Sequence, residues 1–88
     1  MTKEKEILIS GEKYTFIIST AMTINNEAVH VNVKIHPDFK DDFFSINNRS
    51  VILQEIAYKE AKSINKKANF RFSNVDIGTE WQGQFDFD

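Results

Sequence analysis

The sequence is poor in residues that constrain a chain covalently or at the backbone: its 88 residues include no cysteine, one proline and three glycines. Without cysteine there is no disulfide framework and no thiolate metal site, so apolar packing must stabilise the domain. Gly11, Gly78 and Gly83 lie too far apart along the chain to form a phosphate-binding loop. Disulfide-rich scaffolds and phosphate-loop enzymes are therefore excluded.

Long hydrophobic runs are also missing. The longest apolar stretches contain only a few residues, which is too short to cross a bilayer. The opening stretch MTKEKEILIS has no apolar segment of the length found in a signal peptide. From these features we expect a cytoplasmic protein that does not enter a membrane.

Charge of neither sign dominates the chain. The formal net charge of −2 argues against strong electrostatic capture by nucleic acid or by an anionic membrane. Residues 49–69 carry five basic and two acidic side chains, whereas residues 1–48 and 70–88 are both net acidic. The only basic segment therefore lies in the second half of the chain.

The chain does contain enough apolar material for one small core. Its residues are 41% hydrophobic and include eight phenylalanines. A chain of this size buries roughly 60–65% of the surface that it exposes when unfolded. Because no linker, repeat or low-complexity tract interrupts it, we predict one compact domain over residues 1–88.

Two predicted hairpins share a strand within residues 1–36. In the stretch EILISGEKYTFIIST, Gly11-Glu12 has the form of a two-residue type II′ turn, which would place Ile9 opposite Tyr14. Residues opposite each other share a face of the sheet. The shared apolar face would contain Ile7, Ile9, Tyr14, Phe16 and Ile18.

The second hairpin is predicted from residues 28–36, where β-branched and polar side chains alternate in the pattern of a half-buried strand. Asn25-Asn26 could supply the positive φ angles of a type I′ turn, which would place Phe16 opposite Ile35. Both hairpins then turn Phe16 and Ile18 to the same side. We therefore predict a three-stranded meander over residues 1–36.

Residues 48–68 are predicted to form a long helix. The apolar positions have helical spacing and comprise Leu53, Ile56, Ala57, Ala61, Ile64 and Ala68. Asn69 could close the helix in a left-handed conformation, and Lys66 and Lys67 suit its negative C-terminal end.

The connection at residues 37–47, which we call the Phe-rich connection, contains three phenylalanines and three aspartates. Pro37 could begin a short helical turn in which Phe39 and Phe43 share one side and the aspartates face water. Phe44, together with the isoleucine two residues later, is expected to reach the seam between helix and sheet. We expect this segment to cover the core rather than to form a catalytic loop.

Residues 69–88 are predicted to form a third hairpin around Gly78-Thr79. Its pairs on one face would be Asp76 with Trp81, Phe72 with Phe85, and Phe70 with Phe87. Arg71 would lie opposite Asp86 on the other face. The predicted fold class is α+β in the order β-β-β-α-β-β, an antiparallel sheet with one long helix packed on one face.

Residues suited to catalysis or metal binding are few. His30 and His36 would lie on one strand roughly 20 Å apart, too far to share a metal ion. His36 with Asp38 and Asp41 matches no metal-binding motif, and nothing resembles a nucleophile elbow or an ordered triad. We assign no catalytic, cofactor-binding or metal-binding residue and predict that the protein is not an enzyme.

The face of the sheet away from the helix is the leading candidate site. One helix covers only one side of a sheet, and apolar side chains left on the other side often mark association surfaces. The candidate protein interface comprises Leu8, Ile17, Ala21, His30, Lys34, Val75 and Ile77. The leading hypothesis is a small non-catalytic protein-binding module, such as an inhibitor, an immunity-type protein or an adaptor. Self-association into a homodimer through this face is one form of it.

The alternative hypothesis is a nucleic-acid-binding domain that uses the basic helix. Its candidate contacts are Lys59, Lys62, Lys66, Lys67 and Arg71. Cations at this position also suit the negative end of a helix, and the rest of the chain is acidic. Nucleic acid is therefore the less favoured partner.

Overall fold

A computed structural model describes all of residues 1–88. The five strands are β1 (Thr2–Ile9), β2 (Glu12–Met22), β3 (Ala28–Ile35), β4 (Asn69–Asp76) and β5 (Glu80–Asp86). The two helices are α1 (Lys40–Phe44), which follows a 3-10 turn at Pro37–Phe39, and α2 (Arg49–Ile64). The strands form one antiparallel sheet in the order β1-β2-β3-β5-β4, with α2 on one face. The predicted α+β fold is confirmed, and the C-terminal hairpin joins β3 through β5.

The core lies between the two helices and the inner face of the sheet. Its largest fully buried side chains are Trp81, Phe16, Phe43, Phe85, Ile18 and Leu53. α2 packs mainly against β3 and β5, whereas Phe43 of α1 covers β2. The Phe43 ring meets the rings of Tyr14 and Phe16 edge-on, at centroid distances of 5.9 and 5.5 Å. The Phe-rich connection therefore covers the core at Phe43, as predicted.

The β1–β2 hairpin turns one residue earlier than predicted. Ser10 and Gly11 form the turn with φ angles of 52° and 84°, and a type I′ turn requires positive φ at both central residues. The predicted Gly11-Glu12 turn is therefore wrong, and Ile9 lies opposite Glu12 instead of Tyr14. Because the pairing moves by two residues and side chains alternate with period two, the predicted inner face is unchanged.

The β2–β3 hairpin has the predicted register, with Phe16 opposite Ile35. Its loop is longer than a two-residue turn, and only Asn26 has a positive φ, of 55°. The Asn26 N–H donates to the Thr23 carbonyl oxygen at 3.0 Å. The register predicted from a turn at Asn25-Asn26 is therefore correct, although the loop is not the two-residue turn that was expected.

Two β-bulges in β4 change the predicted pairing of the C-terminal hairpin. Asp76 lies opposite Trp81 as predicted, but the register shifts between Phe70 and Phe72 and again between Ser73 and Val75. The predicted pairs of Phe72 with Phe85 and of Phe70 with Phe87 are therefore wrong. The observed pairs are Phe70 with Phe85 and Phe72 with Gln84. The first bulge moves Phe72 to the outer face.

Gly83 permits the close packing beside these bulges. A Cβ atom at Gly83 would lie 2.3 Å from the Trp81 indole and 2.6 Å from the Phe72 carbonyl oxygen. The indole therefore occupies the space that a side chain would fill, and the β4 backbone approaches β5 closely there.

α2 is shorter than the predicted helix over residues 48–68. It ends at Ile64, because Asn65 has an extended backbone with φ −151° and ψ 119°. The predicted left-handed cap at Asn69 is wrong, since that residue begins β4. Ala68 is buried as predicted, but it lies in the connection after the helix.

Candidate functional site

α2 covers the middle of the sheet and leaves a groove on each side. The groove toward β1 is lined mainly by Lys5, Ile7, Ile9, Ile52, Ile56 and Lys59. The groove toward β4 is lined by Val51, Gln54, Glu55, Tyr58, Phe70 and Phe85. The β1 groove carries charged side chains of both signs, from Lys5, Glu6, Glu55 and Lys59, whereas the β4 groove presents exposed aromatic and aliphatic side chains.

Three large apolar side chains that line the β4 groove are exposed, and we call them the β4 apolar surface: Val51, Tyr58 and Phe70. They are between 40% and 54% exposed. The rings of Phe70 and Tyr58 lie 5.9 and 6.0 Å from the buried ring of Phe85. Phe85 therefore forms a fixed aromatic floor between the helix and the edge strand.

Arg49 holds the Phe-rich connection against the β4–β5 turn. Its Nε donates to the Gly78 carbonyl oxygen at 3.0 Å, and its Nη1 donates to the carbonyl oxygens of Phe44 and Ile46 at 2.6 and 2.9 Å. The guanidinium also lies 4.7 Å from the centroid of the Phe44 ring. The expectation that Phe44 reaches the helix–sheet seam is therefore wrong, whereas Ile46 does pack against the core.

The β1 edge is regular and charged. β1 pairs with β2 without a bulge, and its lysines lie on the inner face while its glutamates lie on the outer face. Lys3 Nζ lies 2.9 Å from Glu60 Oε2, and the Glu60 side chain is only 5% exposed. Sequence reasoning missed Glu60, although a helical carboxylate four residues after the apolar Ile56 is a signal that could have found it.

The seven residues of the predicted protein interface all lie on the outer face. The strand registers place Ile17 between Glu4 and Lys34, and Lys34 lies next to Glu80. Ala21 and His30 lie on neighbouring strands of that face. Leu8 lies at the β1 edge, opposite a lysine of β2.

Polar side chains of β3 and β5 separate the apolar members of this set. Val75 lies opposite Gln82, and Gln82 lies opposite Asn32. Asn32 Nδ2 donates to Glu80 Oε2 at 2.7 Å. Ile77 follows Val75 at the β4 edge and is 66% exposed. The structure thus brings the seven residues to one face, but not into one continuous apolar patch.

The basic residues of the nucleic-acid hypothesis are spread from the groove toward β1 to the β4 edge of the sheet. Lys59 lines the groove toward β1. Lys62 Nζ donates to the Lys66 carbonyl oxygen at 2.8 Å. Arg71 lies at the opposite edge of the sheet, where its Nη1 contacts Asp86 Oδ2 at 3.2 Å on the outer face. Lys67 lies in the connection before β4.

His36 and the neighbouring aspartates have a local structural role. His36 Nδ1 accepts a hydrogen bond from the Asp38 N–H at 3.1 Å and thereby caps the 3-10 turn. No group of three His, Cys, Asp or Glu side chains lies close enough to hold a metal ion. Neither helix combines the length and the apolar character that a membrane span requires.

Tyr14 is a buried phenol below the Phe-rich connection. Burial raises its pKa above the ordinary value. The hydrogen bond from its Oη to Glu12 Oε2, at 3.2 Å, and the negative charges of Glu12 and Asp42 raise the pKa further. The neutral phenol is therefore the form that the folded protein stabilises.

The β4 apolar surface was also missed from the sequence. Val51 and Tyr58 lie seven residues apart on the wet side of the predicted helix, a spacing that places both on one face. Comparison of the chain with models of protein families, with curated proteins and with solved structures found no match. Inference about function therefore depends on the surface geometry described above.

Proposed function

We propose that the protein is a small non-catalytic protein-binding module whose partner docks on the β4 apolar surface. The observation that carries this proposal is the gathering of Val51, Tyr58 and Phe70 in one groove, above the buried ring of Phe85. Contiguous exposed apolar groups mark interaction surfaces, and aromatic side chains supply much of the binding energy at protein interfaces.

The charges around this surface support a protein partner. Lys62 Nζ lies 5.2 Å from the centroid of the Tyr58 ring. Glu55 lies beside the groove. An apolar centre with charged groups at its rim is the usual anatomy of a protein interface. We infer that the partner contributes apolar side chains to the groove and polar groups to the rim.

A second copy of the chain is one candidate partner, and the cytoplasm is the location that the proposal assumes. The outer face is the less suitable interface because polar residues of β3 and β5 divide its apolar side chains. The nucleic-acid alternative gains no support from its basic residues, because Lys59 lines the groove toward β1 whereas Arg71 is paired to Asp86 at the β4 edge.

The proposal is tested by comparing Val51→Lys with Ile24→Lys. Val51 is 54% exposed on the β4 apolar surface, whereas Ile24 is fully exposed in the β2–β3 loop, so neither change should disturb the core. Sedimentation over a range of protein concentrations measures self-association, and a pull-down followed by purified reconstitution measures binding to another protein. We expect Val51→Lys to abolish the interaction and Ile24→Lys to preserve it.

Two results would overturn this assignment. One is a partner that binds the wild type and Val51→Lys equally. The other is a partner that is lost with Ile17→Lys but retained by Val51→Lys, which would return the interface to the outer face.

A further inference from the structure

The backbone of β1 has a free hydrogen-bonding edge. The Thr20 N–H donates to the Met1 carbonyl oxygen at 2.8 Å, and the N-terminal ammonium group of Met1 donates to the Thr20 carbonyl oxygen at 2.9 Å. In an antiparallel pair, hydrogen-bonded and non-hydrogen-bonded positions alternate. The N–H and C=O groups that point away from β2 therefore belong to Thr2, Glu4, Glu6 and Leu8.

The two edges of the sheet differ in their capacity to accept another strand. All eight residues of β1 pair with β2 in one unbroken register. β4, at the other edge, has two register shifts. A bulge interrupts the even row of donors and acceptors that an added strand needs. β1 is therefore the edge that is suited to strand addition.

The side chains beside β1 define the chemistry of a matching strand. On the inner face, Ile7 and Ile9 adjoin the groove formed with α2, and Lys5 stands at its rim. On the outer face, Glu4 and Glu6 are both exposed. Cross-strand neighbours of opposite charge are favourable and those of like charge are unfavourable. A matching strand therefore carries apolar groups and an acid on its inner side, and basic groups on its outer side.

A second copy of β1 does not meet this requirement. Two copies that continue one sheet in antiparallel orientation must pair inner residues with inner residues. Two registers meet this condition with the greatest overlap between the strands. One of them places Lys5 opposite Lys5 and Glu4 opposite Glu6. The other places Glu6 opposite Glu6. The separation of lysines and glutamates onto opposite faces therefore disfavours self-pairing and leaves the edge for a different chain.

We infer that β1 accepts an antiparallel strand from another protein. From its N-terminus, this strand has an apolar residue, any residue, an apolar residue, a basic residue, an acidic residue and a basic residue. These six lie in turn opposite Ile9, Leu8, Ile7, Glu6, Lys5 and Glu4. Its backbone bonds to the free groups of β1, and its apolar side chains enter the groove beside Ile52 and Ile56. This site extends the proposed protein-binding function to a second surface, and its test does not depend on the β4 apolar surface.

The test uses two synthetic peptides, acetyl-VTVKEKT-amide and its charge-exchanged counterpart acetyl-VTVEKET-amide. We expect the first to bind the wild-type protein about tenfold more tightly, since three cross-strand charge pairs change from repulsive to attractive. The triple variant E4K/K5E/E6K should prefer the second peptide. Circular dichroism confirms that the variant retains its fold, and titration calorimetry measures each affinity.

Amide hydrogen exchange locates the bound peptide. The peptide should protect the outward-pointing amides of Glu4 and Glu6, while those of Lys5 and Ile7, already bonded to β2, change little. Absence of binding by both peptides would overturn the inference, as would binding without protection of Glu4 and Glu6. Equal affinity for the two peptides would show that the charges of β1 do not select a strand. None of these outcomes bears on the Val51→Lys comparison.

Discussion

The two edges of the sheet are protected from random association by different means. β4 carries two bulges and exposed aromatic side chains, whereas β1 is regular and carries alternating lysines and glutamates. Bulges disrupt the free backbone row itself, while charges leave it intact and restrict which strand can pair with it. From this difference we infer that a partner of the β4 edge docks through side chains, whereas a partner of the β1 edge pairs through its backbone.

The largest expected loss of stability is at Phe43, which covers the β1–β2 half of the sheet. Phe43 is fully buried against Tyr14 and Phe16, and α2 packs mainly on the other half. Phe43→Ala should lower the free energy of unfolding by about 3–5 kcal/mol. The neighbouring Phe44→Ala is the matched control and should cost about 1 kcal/mol, because Phe44 is half exposed and contacts Arg49. Urea denaturation measures both, and equal costs would show that Phe43 is not core.

At the β4 edge, Gly83→Ala should lower the free energy of unfolding by about 1–3 kcal/mol. The added methyl group would overlap the Trp81 indole and the Phe72 carbonyl oxygen. Gln82→Ala, on the opposite face of β5, is the control and should change the stability little. Thermal unfolding measures the stability of both variants. A Gly83→Ala protein as stable as the wild type would contradict the close packing at the bulges.

The ion pairs at the two edges should differ in strength. Lys3→Met leaves the buried carboxylate of Glu60 without its partner and should cost about 1–3 kcal/mol. Arg71→Met breaks an exposed pair with Asp86 and should cost about 0–1 kcal/mol. Adding Glu60→Gln to Lys3→Met should recover part of the loss. Chemical denaturation at neutral pH measures these costs, and a larger loss for Arg71→Met would reverse the comparison.

The smallest effect is a loss of stability at alkaline pH that depends on Tyr14. Its pKa is raised in the folded protein, so the unfolded chain releases the phenol proton first as the pH rises. The stabilisation from Tyr14 is complete below the ordinary tyrosine pKa of about 10 and is lost as the pH rises through the folded value. Tyr14→Phe should weaken this alkaline dependence relative to the wild type. Unfolding midpoints at several alkaline pH values measure this dependence. If the midpoints of the wild type and Tyr14→Phe fell equally steeply with pH, the role of Tyr14 would be contradicted.

The regular parts of the fold could be predicted because their signals are local. The expected turn at Asn25-Asn26 placed Phe16 opposite Ile35 correctly. Period two kept the inner face of the first hairpin correct although its turn moved to Ser10-Gly11. The spacing of apolar residues predicted the core side of α2. These patterns are repeated along each element, so an error of one turn residue does not remove them.

The bulges and the exposed aromatic groups could not be predicted in the same way. Phe72 moves to the outer face because β4 bulges beside Gly83, where the Trp81 indole fills the space. Phe44 stays at the surface because Arg49 bonds the backbone around it. Each outcome depends on a contact between segments far apart in the sequence. The candidate interface on the outer face was placed on the correct side, but its continuity could not be judged without the strand order.

The inner faces of β1, β2, β3 and α2 and the presence of one core follow from the pattern of apolar residues, because burial of apolar side chains follows the period of each element. Tertiary structure alone decided the strand order, the bulges in β4 and the end of α2 at Ile64. It also decided which apolar groups stay exposed beside α2, since the helix is narrower than the sheet and packs mainly against β3 and β5. Because of that difference in width, α2 leaves a groove beside each edge of the sheet, and we infer a different kind of partner for each.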